Sequence, residues 1–208
     1  MRTIIEEKEV EIVEKKSRFI ASIYHVETKE EAESIINIIK KKYYDAKHNC
    51  FAFIINENNL KIERQSDDGE PQGTAGAPLL NILRKKDLEN VLLIVTRYFG
   101  GILLGTGGLT RAYNEAGIKV VEKAEIIEFE EGLEIKVEVS YDYNDEFKYI
   151  LEKNKIDIIE TNYNEKIEYI LELNVEKYEL LENIRKNKEY NDKILKITKN
   201  CSKLVKIK

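Results

Sequence analysis

Two stretches of the chain concentrate the residue types that bind anions or move protons. One is Arg64-Gln-Ser-Asp-Asp-Gly-Glu-Pro-Gln-Gly-Thr-Ala-Gly76, and the other is Thr96-Arg-Tyr-Phe-Gly-Gly-Ile-Leu-Leu-Gly-Thr-Gly-Gly-Leu-Thr-Arg-Ala-Tyr113. The second runs from a predicted buried strand through five glycines into a predicted helix N-terminus. Unpaired N–H groups and the positive end of the helix dipole meet there, which suits an anion. Arg111 falls in or near the first turn, where a cation is disfavoured by roughly 0.3–1 kcal/mol. Something negative is therefore expected opposite it. That partner is either a ligand phosphate or the acids Asp67, Asp68 and Glu70, in which case the two loops are stapled by internal ion pairs. Arginine use sharpens the point. The chain has 27 lysines and 7 arginines, yet Arg64, Arg97 and Arg111 lie within or beside these stretches. A planar fork making bidentate contacts is not replaced by lysine.

Asp67, Asp68 and Glu70 have the chemistry for Mg²⁺ or for an acid–base pair. Clustered loop acids are more often turn-formers and ion-pair partners. His48 is the candidate acid–base group, orienting a proton transfer with Asp67 or Asp68, and the alternative is a structural hydrogen bond, the commoner role of such a histidine. Tyr98 is the candidate stacking face, while Phe99 and Tyr113 read as packing and Cys50 as core. Nucleotide motifs fail when tested: Thr110 stands at the third glycine of G-x-G-x-x-G, and Thr106 stands where a P-loop needs lysine. No G-x-S-x-G or Cys/His catalytic arrangement is present. The candidate ligand- or nucleic-acid-binding set is Arg64, Asp67, Asp68, Glu70, Thr74, Arg97, Tyr98, Gly100, Gly101, Gly105, Gly107, Gly108 and Arg111. No catalytic set, metal ligand or cofactor is expected.

The elements that must hold these residues follow from pattern. Nine of the ten glycines lie between Gly69 and Gly117, as do both prolines. Strands are expected over Thr3–Val13 and Arg18–Tyr24, then a helix opened by the capping box Thr28-Lys-Glu-Glu31. A strand pair, Asn49–Ile55 and Leu60–Gln65, turns at 56–59. A short helix from about Pro78 to Lys86 precedes the buried strand Val91–Thr96, and a helix carries residues 109, 112, 113, 116, 117, 120 and 121 on one face. Beyond residue 124 the order is β-α-β-β-α-β, which resembles the ferredoxin-like pattern. Two domains are expected, 1–124 and 125–208. With 42% hydrophobic and 35% charged residues the chain is globular rather than disordered. It has no apolar stretch of membrane-crossing length and no signal-peptide core. Two cysteines suit a reduced, cytoplasmic protein. The net charge of −5 comes from the second half, so nucleic-acid binding must rest on a patch in the first.

Several of these segments resemble the signatures of the IMPACT family. They are Lys16-Ser17-Arg18-Phe19, His48-Asn49-Cys50, Ser66-Asp-Asp-Gly-Glu-Pro71, Gly73-Thr-Ala-Gly76, Thr96-Arg-Tyr-Phe-Gly-Gly101 and Gly105-Thr-Gly-Gly-Leu109 with Arg111-Ala-Tyr113. The likeness covers about residues 15–123. It implies an α+β fold: an N-terminal domain like domain 2 of ribosomal protein S5, followed by a ferredoxin-like domain similar to domain V of elongation factor G. It also implies translational control, since eukaryotic relatives restrain a translation-control kinase by binding its activator. Gln65 stands where the family pattern usually has serine, and Ala77 where it has a basic residue. The expected function is a cytosolic binding or regulatory protein recognising RNA, the ribosome or a ribosome-associated protein, with no membrane partner. The alternative is an enzyme acting on a small phosphorylated or carboxylated substrate with the acidic loop. Both readings require the two stretches to meet in one cleft.

Overall fold

The apolar run that begins at Val91 becomes the centre strand of a five-stranded antiparallel sheet. In chain order the first elements are β1 (Arg2–Ile4), β2 (Lys8–Glu14), β3 (Ser17–His25), α1 (Lys29–Lys42), β4 (His48–Glu57), β5 (Leu60–Ser66), α2 (Gly76–Lys85), β6 (Val91–Tyr98) and α3 (Gly105–Lys123). The sheet order is β2-β3-β6-β4-β5. The computed structural model describes residues 1–57, 60–187 and 193–206, so part of the turn expected at 56–59 lies outside the described residues. The chain divides into two units, Met1–Glu128 and Phe129–Lys208.

Alternation along the strands decides what each face of this sheet carries. Phe19, Ala21 and Ile23 of β3, Cys50, Ala52 and Ile54 of β4, and Val91, Leu93 and Val95 of β6 bury themselves against α2 and α3. The other set, Phe53, Ile55, Leu92 and Ile94, packs on Ala32, Ile36 and Ile39 of α1. Each such aliphatic side chain contributes about 1.5–3 kcal/mol when fully buried. At the start of α1 the Thr28 hydroxyl accepts from Glu31 N at 3.2 Å. The Glu31 carboxylate reaches back to the N–H of Glu27, at 2.8 Å, one residue before the cap.

One expected strand proves to be two. The chain bends at Ile5 and Glu6, after buried Ile4 and with Ile5 exposed. As a result β1 pairs with residues Ile126–Glu128 and β2 pairs with β3. The remaining elements are β7 (Ile126–Val139), a 3-10 turn at Tyr141–Tyr143, α4 (Asn144–Lys153), β8 (Asp157–Tyr163), β9 (Ile167–Asn174), α5 (Val175–Lys186) and β10 (Ile194–Lys206). The second unit is an antiparallel sheet in the order β10-β7-β9-β8. Ile135, Val137, Val139, Tyr169 and Leu171 form its core with Phe147 and Leu151 of α4 and Leu181 of α5. The fold is therefore α+β, with both units built on antiparallel sheets. Among the described residues no helix is long and apolar enough to cross a membrane.

Candidate functional site

Where β5 ends, the acidic loop turns back on itself through positive φ at Asp68 and Gly69. Its two aspartates are consumed by the chain's own donors. Asp67 Oδ2 accepts from Gly73 N at 2.8 Å, and Oδ1 accepts from Ala75 N at 3.0 Å and Gly76 N at 2.9 Å. The last two N–H groups open α2, whose N-cap residue Ala75 has no capping side chain, so Asp67 supplies the missing anion from nine residues upstream. Burial opposes ionisation of Asp67, but the Gly73, Gly76 and Ala75 N–H groups outweigh it and hold the carboxyl below its ordinary value. Asp68 accepts from Lys40 Nζ at 2.7 Å and from Asn49 N at 2.7 Å.

Glu70 continues inward. It and Arg97 form a buried ion pair, Nη1 to Oε1 at 2.6 Å, with side chains 3% and 6% exposed. Tyr113 on α3 donates to the same Oε1 at 2.8 Å, and Cys50 Sγ donates to the Tyr113 hydroxyl at 3.3 Å. Burial, reinforced by Cys50 and Glu70, keeps the Tyr113 phenol protonated far above its ordinary range. Burial likewise pushes the Cys50 thiol up to about 12. Arg97 Nη2 also points at Ser17 Oγ, at 3.5 Å, and its guanidinium lies 5.4 Å and 5.7 Å from the ring centres of Phe19 and Phe99. These are cation–π distances. His48 Nδ1 is 2.8 Å from the Asp68 carbonyl oxygen, and its Nε2 is 3.8 Å from Glu70 Oε2.

Above this network opens a cavity of about 350 Å³. Lys47, His48, Glu70, Pro71 and Arg97 line one side. Phe99, Leu103, Leu104, Gly105, Thr106 and Leu109 line the other, at the uncapped start of α3. Ile102, Leu103 and Phe99 are 42%, 83% and 41% exposed, so an apolar loop overhangs the mouth. Lys47 Nζ sits 5.1 Å over the Phe99 ring, Gly100 abuts the Lys16 backbone, and Arg111 reaches back towards Gly107. None of Lys15, Lys16, Lys47 or Arg111 forms an ion pair with a described residue, and Glu14 is the exposed acid at the neighbouring turn. Among the described residues no group of three or more His, Cys, Asp or Glu could hold a metal ion.

The residues of the network and of the cavity lining fall within the segment 15–121, which matches the Impact N-terminal domain. The chain belongs to the IMPACT family. It is 51% identical over 114 residues to the IMPACT family member YvyE of Bacillus subtilis, covering 55% of this chain and 52% of that one. An IMPACT family member of Haemophilus influenzae is 38% identical over 149 residues, covering 70% and 71%. The chain thus spans about half the length of the first relative and more of the second. A crystal structure described as that of a hypothetical protein superposes over 100% of this chain and 97% of its own, with a TM-score of 0.61 and 26% identity.

In this IMPACT-family chain the two signature stretches do converge, but not every expected residue reaches the cavity. Arg64 stays out on β5 and pairs with Glu33 at 3.2 Å. Tyr98 lies on the opposite face of β6 from Arg97. Its hydroxyl donates to Asp45 at 2.8 Å and its ring lies 5.3 Å from the Arg18 guanidinium. Thr74 is buried and donates to the Pro71 carbonyl. Arg111 is exposed and makes no pair with the acidic loop, so the staple between the loops is Arg97–Glu70 instead. Gly100 is required by packing, since a Cβ there would lie 2.0 Å from the Lys16 carbonyl carbon. Gly101 and Gly105 take positive φ; Gly107 and Gly108 form the first turn of α3. Sequence reasoning missed Lys47, Leu103, Leu104, Thr106 and Ser17, and it took Phe99 for packing. Continuing the strand alternation two residues past Thr96 separates Arg97 from Tyr98 and leaves Phe99 at the strand's mouth.

Proposed function

We propose that this chain is a cytoplasmic binding and regulatory protein of translation control, and that it recognises RNA, free or on the ribosome, through the end of the first unit. The observation that carries this reading is a set of cations with no ion pair to a described residue, Lys15, Lys16, Lys47 and Arg111, on segments that meet the exposed Phe99–Leu103 loop at Gly100, the Phe99 ring and Gly107. A polyanion satisfies such cations by releasing its own counterions, and an exposed ring beside them offers a stacking face. Family membership supplies the link to translation. The alternative, an enzyme with an acidic loop, loses two carboxylates, because Asp67 and Asp68 are saturated by internal donors. The first unit is read as similar to domain 2 of ribosomal protein S5. The second is read as ferredoxin-like, a reading supported by its strand order β10-β7-β9-β8.

The test is fluorescence anisotropy with short single-stranded RNA across a salt series. Affinity should fall with salt at a log–log slope of about 0.7 per phosphate contacted. Lys16→Ala and Arg111→Ala should each weaken binding of every sequence and reduce that slope by about 1 or somewhat less. Salt-independent binding, or variants that bind as the wild type does, would refute it.

A further inference from the structure

The floor of the cavity has a chemistry that the rim cations leave unexplained. Glu70 Oε1 is taken by Arg97 and Tyr113, whereas Oε2 receives no hydrogen bond from any described residue. Its neighbour, His48 Nε2, lies 3.8 Å away, beyond hydrogen-bond distance. His48 Nδ1 faces the Asp68 carbonyl oxygen, which can only accept. Nδ1 therefore carries a proton, and in the tautomer this bond selects Nε2 is left as an acceptor. Two acceptors 3.8 Å apart thus line one cavity. They are matched by a ligand with two adjacent N–H donors. Phe99 lines the same cavity and gives a flat ring a surface to stack on. A volume of about 350 Å³ suits one small group rather than a chain of them, since ligand cavities run from about 300 to 1,000 Å³.

Resting on the RNA reading above, we propose that this cavity receives a single guanine base splayed out from an RNA strand. Its Watson–Crick edge carries the ring N1–H and the 2-amino group side by side, and these donate to Glu70 Oε2 and His48 Nε2 while the ring stacks on Phe99. Adenine and cytosine pair one donor with an acceptor on that edge, and uracil flanks one N–H with two carbonyls. Each of them sets a lone pair against a lone pair at the cavity floor. Strand phosphates on either side of the base then meet the rim cations.

The experiment is anisotropy with labelled UUGUU, UUUUU and the inosine-centred UUIUU, using the full chain. Inosine keeps N1–H and lacks the 2-amino group. UUGUU should bind more tightly than UUUUU by about tenfold, the discrimination expected of a good two-point base contact, with UUIUU between them. Phe99→Ala should abolish the preference, with circular dichroism melting to show that the variant folds. Lys16→Ala should weaken all three strands by one common factor. Equal binding of the three strands would overturn the guanine assignment and leave the RNA reading standing. A preference that survives Phe99→Ala would place it elsewhere and also overturn the assignment. Failure to bind any strand at low salt would overturn both.

Discussion

Replacing Arg97 by methionine tests whether the centre of the site is a contact surface or a structural clamp. The pair it makes with Glu70 is short and almost fully enclosed, so solvent screens it little. Arg97→Met leaves the Glu70 carboxylate buried beside the Tyr113 hydroxyl but without its counter-charge. Breaking one side of such a pair costs about 3–5 kcal/mol. At about 2–4 °C per kcal/mol for a chain of this size, the melting temperature should drop by about 6–20 °C. Adding Glu70→Gln removes the stranded charge and keeps an acceptor for Tyr113, so the double variant should regain at least half of the loss. Urea titrations followed by circular dichroism give the midpoint and slope for each variant. A cost below about 1 kcal/mol for Arg97→Met would mean that the pair behaves like a solvated surface contact. A double variant no better than the single would show that stranded charge is not the cause.

Gly100→Ala drives a methyl group into the Lys16 backbone and should cost at least about 1–3 kcal/mol, whereas Gly107→Ala meets nothing closer than 3.8 Å and should stabilise by up to about 1 kcal/mol. The carboxyl of Asp67 is held below its ordinary value of 3.8, so its contribution is present above that pH and lost as pH falls through the lower folded value. The stability gap between wild type and Asp67→Asn should therefore be flat near neutrality and narrow below pH about 4; a gap unchanged down to pH 3 in urea melts would contradict this. With its thiol pushed up to about 12, Cys50 should resist thiol reagents in the native state, while exposed Cys201 reacts at once. A second equivalent should appear on denaturation, and two fast equivalents in native buffer would refute the enclosure of Cys50.

Periodicity made much of the architecture legible. Leu133, Ile135, Val137 and Val139 alternate cleanly because one face of β7 is buried and the other wet, and the order of elements beyond it was readable for that reason. β6 was harder, since a strand covered on both faces shows no alternation, and its end could not be seen. Ending the strand at Thr96 left undecided which faces Arg97 and Tyr98 take. The aspartates were ambiguous for a different reason. A carboxylate that caps a distant helix and one that awaits a ligand look identical in sequence, because the N–H groups that satisfy Asp67 belong to residues six to nine positions later. Glycine density reported backbone geometry. It marked close backbone approach at Gly100 and positive φ at Gly101 and Gly105, rather than a phosphate cradle of known design.

The placement of β6 between β3 and β4 has a consequence for how the first unit comes into being. Its two neighbours are synthesised first and cannot pair with each other in this sheet. Until Val91–Tyr98 emerges and slots between them, each presents an open hydrogen-bonding edge lined with aliphatic side chains. Such late, non-local insertion slows folding and exposes sticky intermediates. The nascent chain is thus at its most vulnerable to mispairing over the interval when about half of it has been made.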